Sequence, residues 1–99
     1  MKRKSSPEDV RRRREEIDRL DAELVRILNQ RAALALDLAQ VKQELGWRIH
    51  DTERERQVLL RVTGSNPGPF DQRGIKRIFR RIICESRRME RELSDGGPR

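Results

Sequence analysis

Arg31 sits where an apolar side chain is due. Ile17, Leu20, Leu24, Ile27, Leu34, Leu38, Val41 and Leu45 recur at alternating steps of three and four, and position 31 is the missing step. A cation on such a seam needs a partner or an anionic ligand, because burying an unpaired charge is costly. Lys42 follows eleven residues later, close to three helical turns. The two cations therefore project from nearly the same face, about 16 Å apart at the backbone, and side chains leaning together could bracket a small dianion. A plainer alternative pairs Arg31 with an acid such as Asp37 or Glu44 across a dimer, fixing its register. It leaves Lys42 as a helix-end cation that complements the helix dipole.

Other polar groups also fall on faces that should pack. Asp51, Arg54 and Glu55 share one face of a second helix through their i, i+3 and i+4 spacing. They read as a cap with an exposed salt bridge or as part of a polar cluster. Ser86 and Glu90 continue the stripe of Phe79 and Ile83 on a third helix, putting a hydroxyl and a carboxyl on a packing face. Ser86 can bond to the backbone four residues earlier. Glu90 has no such outlet and calls for cationic company. Arg14 belongs to a run of four arginines and, taken alone, reads as part of a solvated basic stretch. Cations, a hydroxyl and carboxyls that converge in an otherwise apolar helical bundle describe a polar pocket for a small molecule.

The elements that must position these groups follow from the punctuation of the chain. Ser5-Ser6-Pro7-Glu8-Asp9 reads as a helix start, with Ser6 as cap, Pro7 at the first helical position and acids in the first turn. No breaker intervenes until Gly46, so the spacing predicts one helix from about Pro7 to Leu45. Such a helix is roughly 55 to 60 Å long, whereas a compact globule of this length is only about 30 to 35 Å across. It must pack on something beyond its own chain. The heptad-like spacing makes an intertwined homodimer the natural solution, with the second and third helices folding back on the first. Trp47-Arg48-Ile49-His50 forms a short connection in which Trp47 is expected to cap the apolar layer. Asp51 is the expected N-cap of a second helix running to about Val62, with Val58, Leu59 and Val62 inward. Gly64-Ser65-Asn66-Pro67-Gly68-Pro69 is a loop, and a third helix is expected from about Asp71 to Leu93, stopped by Gly96-Gly97-Pro98. The fold class is all-α: one domain over residues 7–95, a flexible basic tail at 1–6 and a disordered tail at 96–99.

Composition agrees with a shared core. In 99 residues, 33% are hydrophobic, 3% aromatic and 41% charged, so a self-contained core would be thin. The net charge of +7 favours anionic partners, whether nucleic acid, an acidic membrane surface or an anionic metabolite. Cys84 has no second cysteine to pair with and lies in Ile82-Ile83-Cys84, where a small core residue is the expected role. A reducing, cytoplasmic setting fits. No apolar run approaches the ~20 residues of a membrane span, and no signal-peptide core follows the basic start.

The segment Arg12-Arg13-Arg14-Glu15-Glu16-Ile17-Asp18-Arg19-Leu20-Asp21 is followed by Arg31, Lys42, Ile49-His50-Asp51-Thr52-Glu53-Arg54-Glu55, Ser86 and Glu90. Together they resemble the all-helical chorismate mutase family over about residues 10 to 93. The resemblance implies an intertwined three-helix homodimer that converts chorismate to prephenate by a Claisen rearrangement, without metal or cofactor. It implies that Arg31, and Arg14 from the other subunit, bind the two substrate carboxylates. Lys42 would donate to the ether oxygen and a carboxylate, and Glu90 would be the second donor to that oxygen. Asp51 and Glu55 would handle the ring hydroxyl, Arg54 would support the carboxylate end, and Ser86 would add a carboxylate contact. Relatives often carry Gln at the position of Glu90 and Pro at that of Arg48. Isochorismate-pyruvate lyase shares the fold and the cationic pocket, but the Asp51, Arg54 and Glu55 trio favours the mutase. A basic helical nucleic-acid-binding or coiled-coil protein is the alternative from another class. It leaves the placement of Arg31, Ser86 and Glu90 without explanation.

Overall fold

The computed structural model describes residues 4–94. It contains three helices in sequence, α1 (Pro7–Leu45), α2 (Thr52–Gly64) and α3 (Gln72–Ser94), and no strand among the described residues. The chain divides into two compact units, Met1–Ala33 and Leu34–Arg99.

The first unit is the opening stretch of α1. Its start is a reciprocal cap. The Ser6 amide donates to Asp9 Oδ2 at 2.9 Å, and the Asp9 amide donates to the Ser6 carbonyl at 3.0 Å. Ser6 therefore occupies the expected position but acts differently from a simple cap, since its hydroxyl donates to the Asp9 carboxylate at 3.3 Å. Asp9 is withdrawn from solvent, with 7% exposure. The Ser6 amide, and after it the Arg12 guanidinium, hold its carboxyl below the usual aspartate range. Beyond the cap, charges pair along the helix: Arg11 with Glu8 and Glu15, Arg12 with Asp9, Arg26 with Glu23. The apolar stripe has no such partners. Ile17 is 54% exposed, Leu20 64% and Leu24 55%.

In the second unit, α1 ends in a Schellman turn. Gly46 takes φ +73°, its amide donates to Gln43 O at 3.1 Å and the Trp47 amide donates to Lys42 O at 2.8 Å. Asp51 caps α2 by accepting from the Arg54 amide at 3.0 Å, as its position implied. The helix runs on to Gly64, two residues past the expected end, and Thr63 Oγ1 donates back to Leu59 O at 2.9 Å. Asp71 is the cap of α3 rather than its first residue, accepting from the Gly74 amide at 2.7 Å. Gly74 suits that close approach, because a Cβ there would lie 3.0 Å from Asp71 Oδ1. Between α2 and α3, Asn66 ties the loop by donating to Phe70 O at 2.8 Å and to Gln72 Oε1 at 2.9 Å.

Helices α2 and α3 pack on one another. Val58, Leu59 and Val62 are half-buried, as are Ile75, Phe79 and Ile82, while Ala39 and Ile83 are the buried apolar residues of this unit. Two expectations fail. Trp47 does not cap an apolar layer in the single chain; it follows the left-handed Gly46 turn and is 65% exposed. Cys84 is exposed rather than a core residue, since successive helical positions are about 100° apart and Ile83 takes the inward one. The expected stop at Gly96-Gly97-Pro98, the 96–99 tail and residues 1–3 of the basic tail lie outside the described residues.

Candidate active site

Lys42 is in the last turn of α1, and the Schellman turn brings the connection back past it. Its ammonium donates to the Ile49 carbonyl at 3.2 Å, and the residue is half-buried. That bond orients the lysine beside the start of α2, and an ammonium carries three N–H donors.

Glu55, one turn into α2, lies across from α3. Its Oε2 is 3.3 Å from Arg87 Nε and 3.4 Å from His50 Nδ1, and its side chain is 25% exposed. Arg87 also donates through Nε to His50 Nδ1 at 2.8 Å, with a second close contact from its terminal nitrogen to His50 Nε2. Ile49, His50, Arg87, Glu90 and Arg91 line a cleft of about 170 Å³.

Glu90 is the electrostatic centre of this cleft. It is half-buried, and burial pushes its carboxyl above the usual glutamate range. The charges of Lys42 and Arg87, and of His50 when it is protonated, pull in the opposite direction, while the Glu55 carboxylate adds to the rise. The net result is a carboxyl that keeps its proton to higher pH than an ordinary glutamate, and in that form it can donate a hydrogen bond where a carboxylate can only accept. Lys42 and, in its protonated form, Glu90 are donors suited to an oxygen that gains negative charge during a reaction.

The structure thus brings Lys42, Glu55 and Glu90 together. Asp51 stands at the start of the same α2 helix, where its carboxylate serves the cap, and Arg54 is exposed. Ser86 is half-buried on α3, one turn before Glu90. Arg14 and Arg31 belong to the other unit. Arg14 lines an open groove there of about 700 Å³ with Val10 and Asp18, and Arg31 is half-buried. Sequence reasoning missed the parts played by His50 and Arg87. Arg87 is one turn from both Ile83 and Glu90 on the same stripe, a signal hidden by the abundance of arginine in the chain. Among the described residues no group of three or more His, Cys, Asp or Glu side chains is arranged to hold a metal ion, and no helix is long and apolar enough to cross a membrane.

The chain is thus a three-helix protein in which Glu90, with a raised pKa, lines a small cleft and lies within electrostatic reach of Lys42. Residues 13–91 match the family described as chorismate mutase type II, and the chain belongs to that family. It is 34% identical over 90 residues to the bifunctional chorismate mutase/prephenate dehydratase of Aquifex aeolicus, covering 87% of this chain and 25% of that protein. It is 36% identical over 81 residues to the bifunctional enzyme of the same description from Neisseria gonorrhoeae, covering 82% of this chain and 22% of that one. The chain therefore spans about a quarter of the length of these curated relatives. The form II structure of chorismate mutase from Thermus thermophilus superposes with a TM-score of 0.81 at 33% identity, covering 83% of this chain and 93% of that one.

Proposed function

We propose that this chain is an isomerase of aromatic amino-acid biosynthesis, a chorismate mutase that converts chorismate to prephenate, working in the cytoplasm as a homodimer. The observation that carries the reading is Glu90, half-buried, raised in pKa and within electrostatic reach of Lys42 in a chain of this family. In the rearrangement one ether C–O bond breaks as one C–C bond forms within the same molecule, so no nucleophile, reductant or proton donor is consumed. The enzyme has two tasks. It must fold a flexible dianion so that the bond-forming carbons meet, and it must place donors at the ether oxygen as charge builds there.

Lys42 and protonated Glu90 perform the second task. Arg31 and the partner subunit's Arg14 hold the two carboxylates, and Ser86 adds a carboxylate contact. Arg54 supports the carboxylate end, while Asp51 and Glu55 take the ring hydroxyl. The second copy covers the apolar stripe of α1, which supports the dimer because Leu20 and Leu24 remain more than half exposed in the single chain. Loss of chorismate absorbance with formation of prephenate tests the reading, with isochorismate as the comparison substrate. Pyruvate release from isochorismate without turnover of chorismate would replace it with the lyase.

A further inference from the structure

We propose that Arg87 is a positioning residue of this site: its guanidinium clamps the Glu55 carboxylate at the edge of the cleft and holds a second positive charge beside Glu90. Three observations converge on it. The contact to Glu55 joins α3 to α2 at 3.3 Å, and the Nε donation to His50 at 2.8 Å ties the same guanidinium to the connection after α1. Arg87 lies three residues before Glu90, on the same helical stripe, and both line the cleft. Its side chain is 37% exposed against 25% for Glu55, so the pair is screened only in part.

The arrangement separates two effects of one side chain. As a fork, Arg87 holds His50 through Nε and a terminal nitrogen, and the same Nε lies 3.3 Å from Glu55 Oε2, an ion pair that restrains the carboxylate which the proposed reaction uses to hold the ring hydroxyl. As a charge, it opposes the burial of Glu90 and favours that residue's ionised form. The groups acting on Glu90 come from every neighbouring element: Lys42 from α1, His50 from the connection, Glu55 from α2 and Arg87 from α3 itself. Lys42 and His50 remain when Arg87 is replaced. The Glu55 carboxylate, no longer neutralised, then acts more strongly on Glu90, so losing Arg87 and unmasking Glu55 move Glu90 in the same direction.

The kinetic half of this inference rests on the chorismate reading, whereas the electrostatic half does not. The test uses the full chain with Arg87→Gln, which removes the charge, and Arg87→Lys, which keeps the charge without the planar fork. The Glu90 side-chain carboxyl is titrated by carbon-13 NMR, and kcat and KM for chorismate are measured across pH. In Arg87→Gln, Glu90 titrates at higher pH than in wild type, and KM rises on the order of tenfold with a smaller change in kcat. In Arg87→Lys the titration stays near wild type while KM remains partly raised. A purely structural arginine would lower the melting temperature and move neither the titration nor KM, which would overturn the proposal. A protein inactive on chorismate would refute the proposed reaction, and the NMR titration would still decide whether Arg87 sets the charge at Glu90.

Discussion

Both units of this chain carry local ion pairs along their helices, as at Arg26–Glu23 in the first and Arg56–Glu53 in the second, but the second adds contacts that cross between elements. The ion pairs described in Met1–Ala33 include local ones that join residues three or four apart on one helix: Arg11 to Glu15 at 2.6 Å, Arg12 to Asp9 at 2.8 Å. The Arg11–Glu15 and Arg26–Glu23 pairs are exposed, whereas the Arg12–Asp9 pair involves a carboxylate withdrawn from solvent. In Leu34–Arg99 the informative contacts cross elements, since Lys42 reaches Ile49 and Arg87 reaches both His50 and Glu55. Local pairing supports α1 along its own length. Cross-element pairing builds a cleft whose groups perturb one another: burial raises the Glu90 pKa, and the charges of Lys42 and Arg87 pull against that rise.

The largest effect that separates the two units is expected at Lys42. Lys42→Ala removes the proposed donor to developing charge and is expected to lower kcat for chorismate by on the order of 10²- to 10³-fold with the fold intact, as steady-state kinetics and circular dichroism would show. Wild-type turnover in that variant would detach the cleft from the chemistry. Next comes the stripe. Leu20→Glu combined with Leu24→Glu places charge on a face that a second copy is proposed to cover, so sedimentation should report monomers and activity should collapse. A dimer that survives both changes would move the interface elsewhere. Asp51→Ala costs about 1 kcal/mol through the lost cap of α2, seen as a lower melting temperature, in addition to any loss of substrate affinity. The smallest effect belongs to the first unit's surface: Arg26→Ala breaks an exposed pair with Glu23 and should leave melting temperature and activity unchanged within error.

Much of the fold was legible because its boundaries are written in residues with narrow backbone roles. Pro7 opens α1, Gly46 closes it in the left-handed region, and Asp51 caps α2. Glu90 was legible as a carboxyl on a packing stripe, and its raised pKa is the physical form of that misfit. Trp47 and Cys84 were misread because apolar character does not say which way a residue points, and a single helical step separates Cys84 from the buried Ile83. The link between His50 and Arg87 joins residues 37 apart in sequence, and one arginine among 24 basic residues carries no local mark of such a contact.

Glu90 also ties stability to pH. Its folded-state pKa lies above the unfolded value, so the folded chain holds this proton more tightly. The contribution is complete below the ordinary glutamate range and is lost as pH rises through the raised value. Catalysis should follow the same titration, because only the acid can donate to the ether oxygen. The most direct test is the pH dependence of kcat/KM for chorismate in wild type and in Glu90→Gln. The wild type should lose activity as pH rises through the Glu90 titration, whereas the amide, which donates at every pH, should give a flat profile over the same range. Identical profiles in the two proteins would contradict the assignment of protonated Glu90 as a donor.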